Sequence, residues 1–511
     1  MAFNQVLSTA IIVLYILGSL MIGIYAWRGQ TESTLNSYLS SDRKINWFVG
    51  FFSTGASQFT ALAFMGFVAF YFNFGIAGWI AVFIGYVTFY IGTFWALAGR
   101  TWKIGRKYGH LTPSDTVRDF YDSPLLGMIV AIGLIIAVIP YLQLQFTGIG
   151  IIFELGTGGM ISAIVGSIFV LVVIAIYTWL GGLKSVAWVD TFQGVLLVGA
   201  AFLGGLSIFF LVGGGSGEAW STILSNTPNF TNIPDPTGTW NWPRIMTWTS
   251  VVMLGWIFHP HIWLRIHSFE SGHAAERLAP VMAVLQYLIQ LGGFFLVLAG
   301  AIRFAGSPPD QFVLRMYREF FPTVLFSIVA AAGLAAMMSS VSSQCHGIAA
   351  VVARDITRQF KPDWKDSKHL LTARITMVVA LIAAFLLSLA DIPFLLTSGA
   401  AAAALAASLV LPQITAALYS WEWTTKEGAI AGSLLGGSTA LAFLVVPGLS
   451  LPYNMYGPFA GLVTNILLFT VVSLATSSTS GRSDDFEQTT HESMAQLEDE
   501  YREGESIVAD D

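Results

Sequence analysis

The sequence predicts an all-α membrane protein of thirteen transmembrane helices, built as two inverted five-helix repeats with the second and seventh spans broken. Three observations point there. Only 11% of the 511 residues are charged and 55% are hydrophobic, with a mean hydropathy of +0.68; a soluble domain carries about 25% charge. Apolar runs close to bilayer length recur without strand-type alternation, so the spans are helices and not barrel strands. Two of these runs, five apart in order, are interrupted in the middle by small polar residues or by glycine and proline.

The spans fall near residues 6–27, 46–74, 76–99, 124–152, 159–180, 188–213, 245–264, 277–302, 322–350, 370–390, 393–419, 428–446 and 455–476. No basic stretch or small-residue cleavage site opens the chain, so the first run reads as a retained span and not a signal peptide. With the N-terminus outside, the inner segments collect twenty of the 24 Lys and Arg residues, and the outer ones only Arg244, Arg303, Arg315 and Arg318. That asymmetry puts the N-terminus outside and the C-terminus in the cytoplasm, and the plasma membrane is the expected location. The outer connection 214–244 is expected to hold some local structure, and 309–320 a short amphipathic surface helix. Residues 1–476 read as one transporter domain. Residues 477–511 carry eleven Asp or Glu against two Arg, a charge of −9 in a chain of net −6, and read as a solvated cytoplasmic tail without fixed structure. The lone Cys345 excludes internal disulfides and cysteine metal clusters.

Span 2 reads "WFVGFFSTGASQFTALAFMGFVAF", longer than a bilayer requires and polar at its centre. Span 7 reads "VVMLGWIFHPHIWLR", with Gly255 and Pro260 at mid-membrane, where proline removes a backbone donor and clashes with the preceding turn. Paired interruptions of this kind mark transporters made of inverted repeats, with the site near the midplane. Spans 2–6 and 7–11 form the repeats, and spans 1, 12 and 13 flank them.

Span 9 contains "AAMMSSVSSQCHG". Ala336, Ser339, Ser340 and Ser343 share one side of that helix. A hard cation such as sodium wants about five or six oxygen ligands. Two hydroxyls plus backbone carbonyls freed by unwinding of span 2, at Ala56 and Phe59, supply uncharged ligands that release their ion readily. The alternative is close helix packing, with each hydroxyl bonded back to the carbonyl four residues earlier. Ser342 and His346 are close enough for a nucleophile and base, but span 9 holds no acidic partner and the chain has no G-x-S-x-G elbow, so an enzyme is not expected. No P-loop is present to couple transport to ATP, and 35 residues beyond the last span are too few for a signalling kinase.

Four segments then carry a resemblance: "GASQFTALAFMG" in span 2, "YTWLGGLKSVAWVDTFQG" at 177–194, "HPHIWLR" at 259–265 and "AAMMSSVSSQCHGIAAVVARDI" at 335–356. In these the chain resembles the sodium/solute symporter family of proline, pantothenate, monocarboxylate and sugar carriers. The resemblance implies a LeuT-type fold and sodium-coupled uptake, with sodium as the coupling ion and no other cofactor. It places sodium on the carbonyls of Ala56, Phe59 and Ala336 and the hydroxyls of Ser339 and Ser340. Asp190, at the start of span 6, resembles a relay for sodium leaving inward; a helix N-terminus alone also favours an acid there. The solute is expected where spans 2, 4 and 7 converge, against Ser57, Gln58, Thr60, Tyr141, Gln143, Gln145, Trp256, His259 and His261, with at most one of the two histidines facing it. Arg265 is expected near the inner interface, reaching lipid phosphate or holding a gate. Gln58 stands where proline carriers have an acid. That departure, with "PYLQLQFTGIG" in span 4, favours a small organic anion such as a monocarboxylate or pantothenate-like acid over proline. The expected partners are sodium, a small solute and membrane lipid, with no nucleic acid and no obligate protein partner.

Overall fold

The computed structural model describes residues 2–29, 34–213, 221, 225, 230–235, 237–300, 308–390, 395–476, 483–494 and 496–497. Among these residues every regular element is helical, and the one extended pairing is an isolated bridge between Ile45 and Phe269. In chain order the helices are α1 Ala2–Arg28, α2 Leu35–Ser40, α3 Trp47–Gln58, α4 Phe67–Ile84, α5 Ile91–Tyr108, α6 Pro113–Phe120, α7 Pro124–Gly156, α8 Ala163–Val198 and α9 Gly204–Gly213. There follow α10 Trp242–Gly255, α11 Pro260–Ser268, α12 Gly272–Gly300, α13 Phe312–Phe320 and α14 Thr323–Ala350. The chain closes with α15 Asp366–Ser388, α16 Leu395–Leu418, α17 Lys426–Val445, α18 Phe459–Ala475 and α19 Ser483–His491.

Nine helical stretches among the described residues are long and apolar enough to cross a bilayer. Two of them, Leu62–Tyr108 and Ala163–Leu211, run 47 and 49 residues. A straight helix of that length would reach roughly 70 Å at 1.5 Å per residue, more than twice the hydrocarbon core. Each is broken by a glycine with positive φ, Gly75 at 59° and Gly182 at 51°. A Cβ at Gly75 would lie 2.3 Å from the Phe230 carbonyl oxygen, and one at Gly182 would lie 2.4 Å from that of Tyr38. Both the dihedral and the close approach therefore require glycine. These breaks coincide with the boundaries expected between spans 2 and 3 and between spans 5 and 6.

The centre of the bundle is α14, in which every residue from Val329 to Ala350 is buried. Its alanines, serines and glycines let neighbours approach closely, as polar and small residues do between membrane helices. A Cβ at Gly347 would sit 2.7 Å from the backbone nitrogen of His261. The helix α13 buries Phe312, Val313, Leu314, Met316 and Tyr317 and leaves Arg318 outward, the amphipathic pattern expected for 309–320.

The tail departs from expectation in one segment. Residues 483–491 form α19, and Phe486, Met494 and Leu497 are buried. Phe486 stacks on Tyr108 at 5.0 Å between ring centroids and meets Phe120 at 5.3 Å. Lys103 Nζ donates to the carbonyls of Thr490 (2.8 Å) and Glu492 (2.7 Å). Three apolar side chains within twelve positions outweigh the surrounding charge. The remainder of the tail lies outside the described residues, as does about half of the connection 214–244.

Candidate functional site

The first break follows directly from the sequence "ASQFTA". α3 ends at Gln58, and Phe59 takes ψ 84°, outside the helical range. The Phe59 N–H still donates to the carbonyls of Gly55 and Ala56. The chain becomes helical again at Ala61. A new helix start leaves its first N–H groups without partners in the helix. Here the Ala61 N–H donates to Gln145 Oε1 at 2.8 Å, and those of Leu62 and Ala63 donate to Thr60 Oγ1 at 3.0 and 3.4 Å. Thr60 and Gln145, expected from the sequence to face the solute, thus have their acceptor oxygens committed to holding the break open. Ser57 turns its hydroxyl onto the Thr54 carbonyl at 2.8 Å.

α14 lies across this break. Ser339 Oγ sits 2.8 Å from the Ala56 carbonyl, 2.8 Å from that of Ala335 and 3.0 Å from that of Ala336. Ser340 Oγ sits 2.8 Å from the Ala336 carbonyl and 3.2 Å from that of Ser57. Six uncharged oxygens are therefore drawn together from two helices nearly three hundred positions apart. Back-bonding within α14 is present too, and it fixes each serine rotamer toward α3. The Ser57 carbonyl joins the cluster although the sequence pointed to its side chain. Phe59 is placed at the C-cap beside it, its ring buried.

One turn further along α14 the chemistry changes. Asp190 and Arg265 are 0% and 2% exposed and form an ion pair, Nη2 to Oδ2 at 2.5 Å. Ser343 Oγ lies 3.3 Å from the same carboxylate oxygen and 2.5 Å from Arg265 Nη2. Ser53 donates to Asp190 at 3.4 Å and accepts from Arg265 Nη1. Arg265 is thus not at the lipid interface; it is drawn inward by the carboxylate, because a lone charge at this depth is costly. Nor does Asp190 open a helix: α8 resumes just after Gly182, and Asp190 lies two turns inside it.

The second break is made differently. α10 ends at Gly255, Trp256–Phe258 tighten into a 3₁₀ turn, and His259 is extended at φ −66°, ψ 133°. Pro260 restarts the helix at a position where its missing N–H leaves nothing unpaired. Trp256, His259 and Tyr141 pack together, with centroids 5.1 Å apart for Tyr141–Trp256 and 5.3 Å for Trp256–His259. His259 Nδ1 lies 3.1 Å from the Trp256 carbonyl, while Trp256 Nε1 and His259 Nε2 meet no protein partner. His261 lies beyond, its ring 5.7 Å from that of His259, with Nδ1 unpartnered. Gln143 donates to Thr147 Oγ1 at 3.0 Å and leaves Oε1 unpartnered. Gln58 accepts from the Tyr90 hydroxyl and leaves Nε2 unpartnered. Tyr90, which donates to Gln58, together with Tyr86 5.2 Å away, belongs to this polar surface and was missed from the sequence, as was the buried amide of Gln286 on α12. The signal for Gln286 was present: Gln286 and Gln290 stand at i, i+4 in an apolar span, and both amide atoms of Gln286 lack partners.

Helices interrupted around a neutral oxygen cluster, with a polar, uncharged surface beside it, define a secondary transporter. The profile of the sodium:solute symporter family matches residues 37–436, and the chain belongs to that family. It is 26% identical over 477 residues to an osmoregulated proline transporter of Bacillus subtilis (strain 168), covering 91% of this chain and 94% of the relative. It is 26% identical over 480 residues to the sodium/pantothenate symporter of Escherichia coli (strain K12), covering 90% and 95%. The sodium/proline symporter of the same organism is 24% identical over 484 residues, covering 91% and 93%. Among solved structures, the fold matches that of a Na⁺-coupled sialic acid symporter in a substrate-bound outward-open state. The TM-score is 0.75 at 19% identity, over 92% of this chain and 98% of the other. The chain is a multi-pass membrane transporter and not an enzyme.

Proposed function

We propose that the protein is a symporter that uses the inward sodium gradient to import a small organic anion, of the monocarboxylate or pantothenate-like class, by alternating access. The observation that carries sodium coupling is the approach of Ser339 and Ser340 to the carbonyls of Ala56 and Ser57 across the break in span 2. In this reading Ala56, Ala336, Ser339 and Ser340, with Phe59 at the lip of the break, hold the ion. Asp190 takes part in its inward release by exchanging Arg265 for sodium. The chain crosses the membrane thirteen times, as two inverted repeats, with its N-terminus outside.

The lean toward an anion rests on the donors left free. Gln58 Nε2 and Trp256 Nε1 carry N–H groups with no partner, and a carboxylate offers the acceptors they lack. No carboxylate side chain stands among the solute-facing candidates to repel it. A proline-type amino acid is the second reading, favoured by the proline carriers among the relatives. The driving force differs between the two. A monoanion moving with one sodium carries no net charge, so the potential adds nothing and a tenfold sodium gradient supports about tenfold accumulation, whereas a neutral amino acid gains both terms. A potential of 100 mV supplies about 2.3 kcal/mol per charge. A tenfold sodium gradient adds about 1.4 kcal/mol, and the total supports roughly 500-fold accumulation of a neutral solute. The test is uptake into proteoliposomes under an imposed sodium gradient, with labelled monocarboxylates, pantothenate, proline and sugars. Gradient-dependent accumulation of one acid is expected; accumulation of none of the panel would refute the symport reading.

A further inference from the structure

On the flank of the bundle, between α5, α10 and α16, runs a groove of about 500 Å³. Its walls are apolar even where the sequence is not. Thr93 turns its hydroxyl onto the Phe89 carbonyl at 2.5 Å, and Thr415 turns its own onto that of Leu411 at 2.8 Å. Gly92 opens the groove at its middle, where an added Cβ would meet nothing within 4 Å. One end is different. Arg100, one turn beyond Ala96 on the same side of α5, places its guanidinium 4.1 Å from the centroid of Tyr419, which lines the groove. It spends one donor on the Leu418 carbonyl at 3.2 Å. Trp421 closes that end, stacked on Trp423 at 5.8 Å, the two rings 38% and 43% exposed. Half-exposed tryptophans and a tyrosine at one level mark the membrane–water interface. An arginine has five N–H donors, so most remain available there.

An apolar slot that begins at a cation and an aromatic girdle and descends toward mid-bilayer has the polarity of a phospholipid. We propose that this groove binds an anionic phospholipid, with one acyl chain lying along Gly92 and Ala96 and the phosphate meeting Arg100. The cation at the mouth favours a net-negative lipid over a zwitterionic one. The place gives the lipid a role. Phe89 flanks Tyr90, whose hydroxyl donates to Gln58 at the first break. Leu254 precedes Gly255, where the second break begins. The acyl chain therefore backs both interrupted helices from the lipid side and holds Tyr90 and Trp256 in place.

The test uses the full chain and two variants. Gly92→Leu projects a side chain into the groove from a position where an added Cβ meets nothing within 4 Å, and Arg100→Gln removes the cation. Each protein is purified from membranes, exchanged into detergent with phosphatidylcholine and phosphatidylglycerol, and examined by native mass spectrometry, a readout independent of the solute. The wild type is expected to retain phosphatidylglycerol, and both variants to lose most of it. In proteoliposomes, adding phosphatidylglycerol to phosphatidylcholine is expected to raise wild-type sodium-driven uptake several-fold and to leave Gly92→Leu unchanged. Equal retention by all three proteins, or equal retention of both lipids by the wild type, would overturn the proposal. So would a wild-type dimer that Gly92→Leu converts to monomer, since a second copy would then be the occupant.

Discussion

Two serine clusters sit one turn apart on α14, about 6 Å along its axis, and they hold opposite chemistry. Ser339 and Ser340 face backbone carbonyls and carry no formal charge. Ser343 faces a carboxylate already paired with a guanidinium. The difference lies in what crosses α14 at each level. At the first, α3 has unwound and offers carbonyl oxygens; at the second, α3 is still helical and offers only the Ser53 side chain. A passenger ion finds ligands without a resident cation at the first level. At the second the protein supplies its own cation, and a sodium ion can enter only by displacing it. In the proposed reading the carboxylate, which draws the eye in the sequence, is therefore not where the ion is first held.

Removing one member of the charged pair tests this most severely. Arg265→Ala leaves a carboxylate buried without its counter-charge, a loss of about 3–5 kcal/mol in buried pairs. The expected result is a marked fall in folded protein by thermal denaturation in detergent, with Asp190→Ala nearly as damaging. The double variant Asp190→Asn, Arg265→Gln is expected to recover much of the stability. If the double variant is as unstable as the sum of the single ones, the two residues do not act as a pair.

Ser340→Ala should do the reverse. The fold loses a hydroxyl that can rely on no charge, so stability changes little. The sodium concentration for half-maximal uptake is expected to rise about tenfold, which corresponds to about 1.4 kcal/mol, with solute affinity little altered at saturating sodium. Ser343→Ala is the matched control. It removes a hydrogen bond to a charged group, worth about 1.5–3 kcal/mol, and is expected to lower the melting temperature while leaving sodium activation close to wild type. Equal shifts in sodium activation for Ser340→Ala and Ser343→Ala would erase the distinction between the clusters.

The contrast was only half legible in the chain itself. The two interruptions announced themselves, because "STGASQFTA" and "GWIFHPH" put residues that favour local breaks inside apolar runs. The serine spacing on α14 followed from helical periodicity. What the sequence hid was pairing across distance. Asp190 and Arg265 are 75 positions apart, each next to a helix terminus in the linear pattern, where an acid and a base have ordinary local explanations. Only the crossing of α8, α11 and α14 brings them into one place. The part played by Tyr90 was hidden for a similar reason: an aromatic residue in an apolar span reads equally well as packing. Phe486 was masked by composition, since an acidic background of −9 conceals three apolar anchors.

The finest test concerns how the neutral cluster is kept open. Its carbonyl side exists only while α3 stays unwound at Phe59 and Thr60, and the restarting helix there depends on Gln145 and Thr60 for its first N–H groups. The second break needs no side-chain cap of this kind at its first position, because Pro260 has no N–H to satisfy, and the Ile262 and Trp263 N–H groups reach the His259 carbonyl. Gln145→Leu keeps the volume and removes the acceptor, a loss of about 1 kcal/mol by analogy with other caps. The Ala61 N–H then gains by re-pairing within its own chain, which draws α3 and its continuation toward a single helix and pulls the Ala56 and Ser57 carbonyls back from Ser339 and Ser340. The expected outcome is a sodium activation constant raised a few-fold, smaller than for Ser340→Ala. The Asp190–Arg265 level should be undisturbed, with a melting temperature near wild type. Gln145→Glu restores an acceptor and should return sodium activation most of the way. A Gln145→Leu protein with unchanged sodium activation and altered solute affinity alone would mean that Gln145 faces the solute, and that the first break is held by α3 and Thr60 without it.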